Sequence, residues 1–284
     1  MIACEITPTA VIGARAAATG GGVEMVSVRP LPDAALVPSL TTENLLQREL
    51  VKEAVGAVLE AIGAQGRELI AILPDAACRV ALLDFDTLPE RKEEANGVVR
   101  FRLKKALPFD SEKAAISYHA VRDRDGVKVV AAVILDSVLN DYESLFRELG
   151  CNPGVVLPST ISALALVDAS APTLALKVDP LSSSLAIVQA DQLLLFRTLE
   201  HGGKSTLSAE QLADDIYPSL VYFTDNFKMN VERLVVAGLP DFDQIAPLLE
   251  RQTGLPVQEM IPLGVSGDTQ NKSELSGVAG ALYG

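Results

Sequence analysis

TLALKVDPLSSSLAIVQADQLLLFRTLEHGG, Thr173 to Gly203, decides the fold. It contains three short apolar runs, Leu174–Val178, Leu185–Gln189 and Leu193–Leu199, separated by turn-forming residues, and this spacing predicts three neighbouring strands. The first turn, Asp179-Pro180-Leu181-Ser182-Ser183-Ser184, puts one carboxylate and three hydroxyls at the end of a strand, where backbone N–H groups often converge on phosphates. The exit at His201-Gly202-Gly203 lacks Cβ atoms at its last two positions and permits a close backbone approach. An acidic residue leading a strand turn, followed by a Gly-Gly exit into a helix, is a pattern that grips a nucleotide phosphate. The prolines and the branched Leu181 weaken it here.

Downstream, Leu207 to about Phe227 reads as a long helix with Leu212, Ile216, Leu220 and Phe223 at helical spacing and Pro218 within it. Val231–Ala237 then reads as a strand, Phe242–Gln252 as a helix, Pro256–Gln258 as a short strand, Val265–Lys272 as a polar loop and Leu275–Leu282 as a helix of small residues. The same order opens the chain. Residues 2–7, 10–16 and 22–30 predict a three-stranded meander. Thr41-Thr42-Glu43 is expected to cap a helix to about Ile62, with Leu45, Leu46, Leu50, Ala54, Val58 and Leu59 on its apolar face, and Glu68–Leu73 is expected to follow as a strand. The order of elements is therefore duplicated, although the halves do not align residue by residue.

Between the halves, Cys78–Phe85 predicts a strand and Pro89-Glu90-Arg91-Lys92-Glu93-Glu94 opens a helix with Pro and Glu in its favoured first turn. That helix is expected to end at Leu107-Pro108-Phe109. Ala114–Val121 and Val127–Leu135 read as a hairpin across Arg122-Asp123-Arg124-Asp125-Gly126, and Val138–Leu149 as a closing helix. Gly150-Cys151-Asn152-Pro153-Gly154 marks a break, and Leu157-Pro158-Ser159 is expected to start a helix to about Val167.

The totals exclude several classes. With 284 residues, 49% of them hydrophobic, the chain can build its core without staples. Cys4, Cys78 and Cys151 stand singly among apolar neighbours, which predicts buried free thiols and no zinc site. A formal charge of −13 opposes nucleic acid and anionic lipid. The first thirteen residues lack the basic start and apolar core of a signal peptide, and the apolar runs are strand-length, so a soluble cytoplasmic protein without direct membrane insertion is expected. Gly202-Gly203-Lys204-Ser205 has the tail of a P-loop but lacks its leading glycine and reads as a strand-to-helix turn. Ser182, His201 and Asp179 can be assembled into a triad on paper, yet no nucleophile elbow accompanies them and the residues are read as chance neighbours.

Two βββαβα halves, each with an acidic residue at the end of its first strand, resemble the actin-like ATPase superfamily, a ribonuclease H-like α/β fold. The chain more narrowly resembles the PilM family of type IV pilus assembly proteins. The marks are Leu73-Pro74 followed by Arg79-Val80, the helix end at Leu107-Pro108-Phe109, the strand exit from Phe196-Arg197 to Gly202-Gly203, and the closing Gly277-Val278-Ala279-Gly280-Ala281-Leu282. The resemblance implies a first subdomain over 1–83, an inserted subdomain of the FtsA and PilM type over 84–150, a return to the first half over 151–171, a second half over 172–265, and a C-terminal loop and helix over 266–284 packing back on the first half.

It also implies a nucleotide site with ATP and Mg²⁺, carried onto Glu5, Thr7, Thr9, Asp179, Ser182, Ser183, Ser184, Gly202, Gly203 and Gly238. The departures fall there. Glu5-Ile6-Thr7-Pro8-Thr9 and Asp179-Pro180-Leu181 lack the family's turn glycines and gain prolines without N–H donors, so the expectation is no cofactor and no catalytic or metal-binding residue. For partners, the resemblance implies the N-terminal cytoplasmic tail of a PilN-like inner-membrane protein, held between the insert and the first subdomain with Leu107, Pro108 and Phe109 in the groove. It implies further a link to the assembly ATPase, self-association, and a location peripheral to the inner membrane through those partners. The basic helix carrying Arg91, Lys92, Arg100, Arg102, Lys104 and Lys105 reads either as a solvated face or as a docking face. The alternatives are an ATP-binding, filament-forming FtsA-like protein and a cytoplasmic GspL-like component of type II secretion.

Overall fold

The computed structural model describes residues 1–18, 22–123, 126–202, 207–262 and 272–283. Two five-stranded sheets carry the fold. In the first, β1 (Ile2–Ile6), β2 (Ala10–Ala16), β3 (Val23–Pro30), β4 (Glu68–Leu73) and a strand at Asn152–Pro158 stand in the spatial order β3-β2-β1-β4 with the last strand at the edge. The second sheet holds Thr173–Val178, Ser182–Gln189, Gln192–Glu200, Arg233–Ala237 and Val257–Glu259 in the equivalent order. Both have an antiparallel meander joined to two parallel strands, pair for pair. The duplication expected from the sequence is present in the topology.

A third sheet lies between them in sequence. It is formed by β5 (Arg79–Phe85), β6 (Ala114–Asp123) and β7 (Gly126–Leu135), with β7 in the centre. Numbering onward, the Asn152–Pro158 strand is β8 and the second sheet runs from β9 to β13. Helices α1 (Arg48–Ala61) and α3 (Asp136–Glu148) cover one face of the first sheet, α2 (Lys92–Leu103) packs on the third sheet, and α4 (Ser159–Ala163) follows β8. Helices α5 (Ala209–Phe227) and α6 (Phe242–Thr253) cover the second sheet. The last helix, α7 (Ser276–Tyr283), lies on the opposite face of the first sheet against Ala3, Ile12, Ala14 and Ile72.

Three local expectations are corrected. Helix α1 begins at Arg48, not at Thr41-Thr42-Glu43. The Asn44 side chain donates to Ser39 O (2.9 Å) and Thr42 O (2.8 Å) and accepts from Ser39 N (3.0 Å), which satisfies the backbone in a loop instead of a helical turn. The buried face is consequently Val51, Val55, Val58 and Leu59, while Leu46 and Leu50 face solvent. Second, the break expected at 150–154 opens strand β8, whose Pro153, Gly154 and Pro158 are tolerated because β8 is an edge. The helix expected from Leu157 is one short segment, Ser159–Ala163, with a 3₁₀ turn at Leu164–Leu166. Third, α3, expected to close the inserted unit, sends Val138, Tyr142, Leu145 and Phe146 into the core of the first sheet.

The cysteines behave as read. All three are free and buried, and burial raises the Cys4 and Cys78 thiols far above the ordinary value, which leaves them protonated and inert.

Candidate functional site

Two hollows stand at the seams of these units. The first is a cleft of about 190 Å³ between the halves, lined by the β1–β2 turn (Thr7, Thr9), the end of β9 (Lys177, Val178, Asp179, Pro180), His201, the β12 exit (Gly238 to Asp241) and Glu274. The duplicated fold creates it: β1 and β9 occupy equivalent central places, and their ends meet across the cleft.

The sequence-predicted residues divide. Thr7, Thr9, Asp179 and Gly238 line the cleft. At Gly238 φ is +70°, and a Cβ would stand 2.3 Å from Val178 O, so only glycine permits β12 to pass this close to β9. Glu5 is fully buried behind the cleft. Ser182, Ser183 and Ser184 do not form a turn at all; they are the first residues of β10, buried and absent from the cleft wall. The Asp179 N–H donates to Ser182 O at 2.8 Å and closes the hairpin after only Pro180 and Leu181. Ser183 Oγ instead meets His201 Nε2 at 2.8 Å, and Ser184 Oγ meets Thr198 Oγ1 at 3.0 Å. His201 Nδ1 lies 3.4 Å from Pro180 O, so the imidazole is held by strand partners and no triad with Asp179 forms; burial lowers its pKa and keeps it neutral. Gly202, at φ +61°, is an exposed turn outside the cleft, and Gly203 lies outside the described residues.

Sequence reading missed the group that dominates the seam. Lys177, on the second half, is 4% exposed and donates from Nζ to Glu5 Oε1, on the first half, at 2.5 Å. Ser159 Oγ joins the pair, donating to Glu5 Oε1 and touching Lys177 Nζ. Asp75, also buried, accepts from Thr160 N (3.0 Å) and Thr160 Oγ1 (2.6 Å), and burial raises its pKa against the lowering pull of Thr160 and Lys177. Burial works against the Lys177 charge, but Glu5, Asp179 and Asp75 outweigh it and raise its pKa above the ordinary lysine value. Burial, reinforced by Glu5, Asp75 and Glu274, raises Asp179 to about 7 against the lowering pull of Lys177. A signal was available: in TLALKV every residue is buried, and a lysine inside such a strand requires a partner.

The second hollow, about 440 Å³, separates the third sheet from the first. It is lined by β6 and β7 (Ala115, Ile116, Val133, Ile134), by β8 from Pro153 to Pro158, and by Leu139 and Glu143 of α3. β6 and β8 are both terminal strands of their sheets. Leu107, Pro108 and Phe109 are not on this wall; Leu107 and Phe109 pack on the core of the third sheet beside Val99 and Leu103.

No family model and no curated protein sequence matches the chain. Solved structures do. A chain of the PilM-PilN type IV pilus biogenesis complex superposes with a TM-score of 0.78 at 16% identity, over 99% of this chain and 96% of that one. The chain has the actin-like ATPase fold. Its form is PilM-like. Two further structures agree at 12% identity and a TM-score of 0.55. One is a Bacteroides thetaiotaomicron protein with an actin-like ATPase fold and unknown function, matched over 93% of this chain and 91% of that one. The other is the cytoplasmic domain of EpsL, an inner-membrane component of the type II secretion system of Vibrio cholerae, matched over 84% and 83%.

That fold implies a nucleotide with a divalent cation in the cleft, and the residues present do not fit them. Ligand pockets run from about 300 Å³ upward, and this cleft is smaller at about 190 Å³. Thr7 N and Asp179 N donate within their own hairpins, and Pro8 and Pro180 have no N–H to offer. Asp179, Asp241 and Glu274 on the wall would repel a triphosphate. Among the described residues no group of three or more acidic, His or Cys side chains could hold a metal ion, and no helix is long and apolar enough to cross a membrane.

Proposed function

We propose that the chain is an actin-like adaptor of a type IV pilus or related secretion machine, and that the groove between the third sheet and β8 receives the N-terminal cytoplasmic tail of a PilN-like membrane protein. The observation that carries this reading is the groove itself: about 440 Å³, largely apolar, and flanked by terminal strands of two sheets. An extended peptide entering there can pair its backbone with an unpaired strand edge and seat alternate side chains against Ile116, Val133, Leu139 and Val155. Val155 is 48% exposed, an apolar anchor with no internal role. The fold shared with a chain of a PilM-PilN complex supports the same reading.

On this proposal the inserted unit presents the groove, the two halves serve as its frame, the bound tail holds the protein beside the inner membrane, and the protein links the PilN-like partner to the assembly ATPase. Self-association is a further part of the reading, and the basic α2 helix is read as a docking face for an acidic partner. A second reading, a GspL-like component of type II secretion, is favoured by the EpsL match. Titration with a synthetic PilN-type tail decides between them. Saturable binding at micromolar concentration that Val155→Asp weakens supports the pilus adaptor; absence of binding removes it and leaves the secretion reading.

A further inference from the structure

The seam between the halves contains a cation of its own. Lys177 extends from the end of β9 into a space bounded by Glu5 from β1 and Ser159 after β8, with Asp75 and Asp179 close enough to stabilise its charge. Its ammonium is a fixed point charge on the second half, and its ion-pair partner is on the first. We propose that Lys177 is a built-in counter-ion that takes the place of a soluble divalent cation, closing the cleft and holding the two halves in one arrangement without nucleotide.

Three independent features carry this. First, Glu5 on the central strand of the first half is tied to Lys177 on the central strand of the second, so the buried ion pair crosses the seam. Second, the far side of Glu5 is closed. A Cβ on Gly277 would stand 2.1 Å from Glu5 Oε2, so α7 lies directly against that oxygen, which has no hydrogen-bond partner. Glu5 cannot swing away from Lys177 toward a ligand without displacing α7. Third, the remaining cleft wall is net negative, with Asp179, Asp241 and Glu274 against the single lysine. A triphosphate would need a metal to approach, and the lysine already neutralises the carboxylate such a metal would use. Nucleotide binding and the Lys177–Glu5 pair are therefore mutually exclusive in this seam. The inference concerns the cleft and stands apart from the peptide groove.

Calorimetry and thermal unfolding of the full chain test it. With Mg²⁺ and ATP the wild type is expected to give no binding heat and no change in melting temperature, in EDTA or in excess metal. Lys177→Ala and Glu5→Gln each strand a buried partner and are expected to lower the melting temperature by about 10 °C, whereas the double variant removes both charges and is expected to melt above either single one. Saturable Mg-ATP binding to the wild type that Asp179→Ala abolishes would overturn the proposal. So would a double variant whose losses simply add. If Lys177→Ala does not fold, the wild-type titration and the unfolding of Glu5→Gln still decide.

Discussion

The two hollows meet the first sheet at different places, one at the end of its central strand β1 and one beside its edge strand β8, and are built on opposite principles. At the cleft, charged and polar groups are buried and answer one another: Lys177 with Glu5, Asp75 with Thr160, and the neutral His201 with Ser183. In the groove the lining is mostly apolar, its flanking strands are unpaired on one side, and Glu143 is the ionisable carboxylate on its wall. A hollow backed by a buried ion pair resists a ligand that would need either partner, because anything entering must break a pair that was costly to desolvate. A hollow bordered by free backbone edges and apolar side chains gains by being filled. The likeness to the actin-like fold directs attention to the first hollow, and the chemistry directs it to the second.

The contrast can be broken most forcefully at the ion pair. Glu5→Gln leaves the Lys177 ammonium buried without its counter-charge and is expected to cost about 3–5 kcal/mol in chemical denaturation. A loss under 1 kcal/mol would show that the cleft is wetter and looser than described. Next is Gly277→Ala, which drives a methyl into the Glu5 carboxylate and is expected to cost about 2–3 kcal/mol, lowered further if α7 detaches. Phe109→Ala should destabilise the third sheet by about 1–2 kcal/mol, since the ring is only partly buried against that core, while changing affinity for a PilN-type tail less than twofold. A large loss of affinity would return this corner to the groove.

The pH dependence of stability sharpens the electrostatic side. Burial raises Asp179 to about 7, while in the unfolded chain an aspartate ionises near ~3.9. Between those values the folded state holds the extra proton, so stability falls as pH rises from about 4 to about 7 and is level above. Asp75 is raised in the same direction by burial. Below pH 4 the sign reverses: Glu148, bonded by Arg48 and Lys52, and Asp168, bonded by Ser170 and Arg233, are lowered to about 2, and their contribution is lost as they protonate. Denaturation midpoints should therefore show a gain on going from pH 8 to pH 5. For Asp179, partly open to the cleft, this is about 1–2 kcal/mol, and Asp179→Asn should remove that part of the slope and leave the part that Asp75 contributes. The smallest expected change in stability, within about 0.5 kcal/mol, belongs to Val155→Asp. The same variant is expected to weaken peptide binding at least tenfold, which separates the groove's function from its contribution to folding.

Much of this was written in the linear order of residues. The alternation of strand-length apolar runs with turn residues predicts the meander of each half, and the helical periodicity of Leu212, Ile216, Leu220 and Phe223 predicts α5. The prolines at 8 and 180 predict poor phosphate turns, because loss of an N–H is a local covalent fact. Other features were not local. β8 is hidden by its own Pro153, Gly154 and Pro158, which forbid a central strand but not an edge strand, and only the completed sheet says which it is. The three serines read as a turn because hydroxyls suit turns, yet a closing bond from Asp179 N to Ser182 O makes them the start of β10. Sequence by itself determined the duplicated α/β order, the buried free thiols and the faults in the phosphate turns, since each follows from periodicity or from a single residue's chemistry. Tertiary structure alone decided that Lys177 meets Glu5 and that the groove runs between β6 and β8, because both depend on residues far apart in sequence, 172 positions in the case of the ion pair.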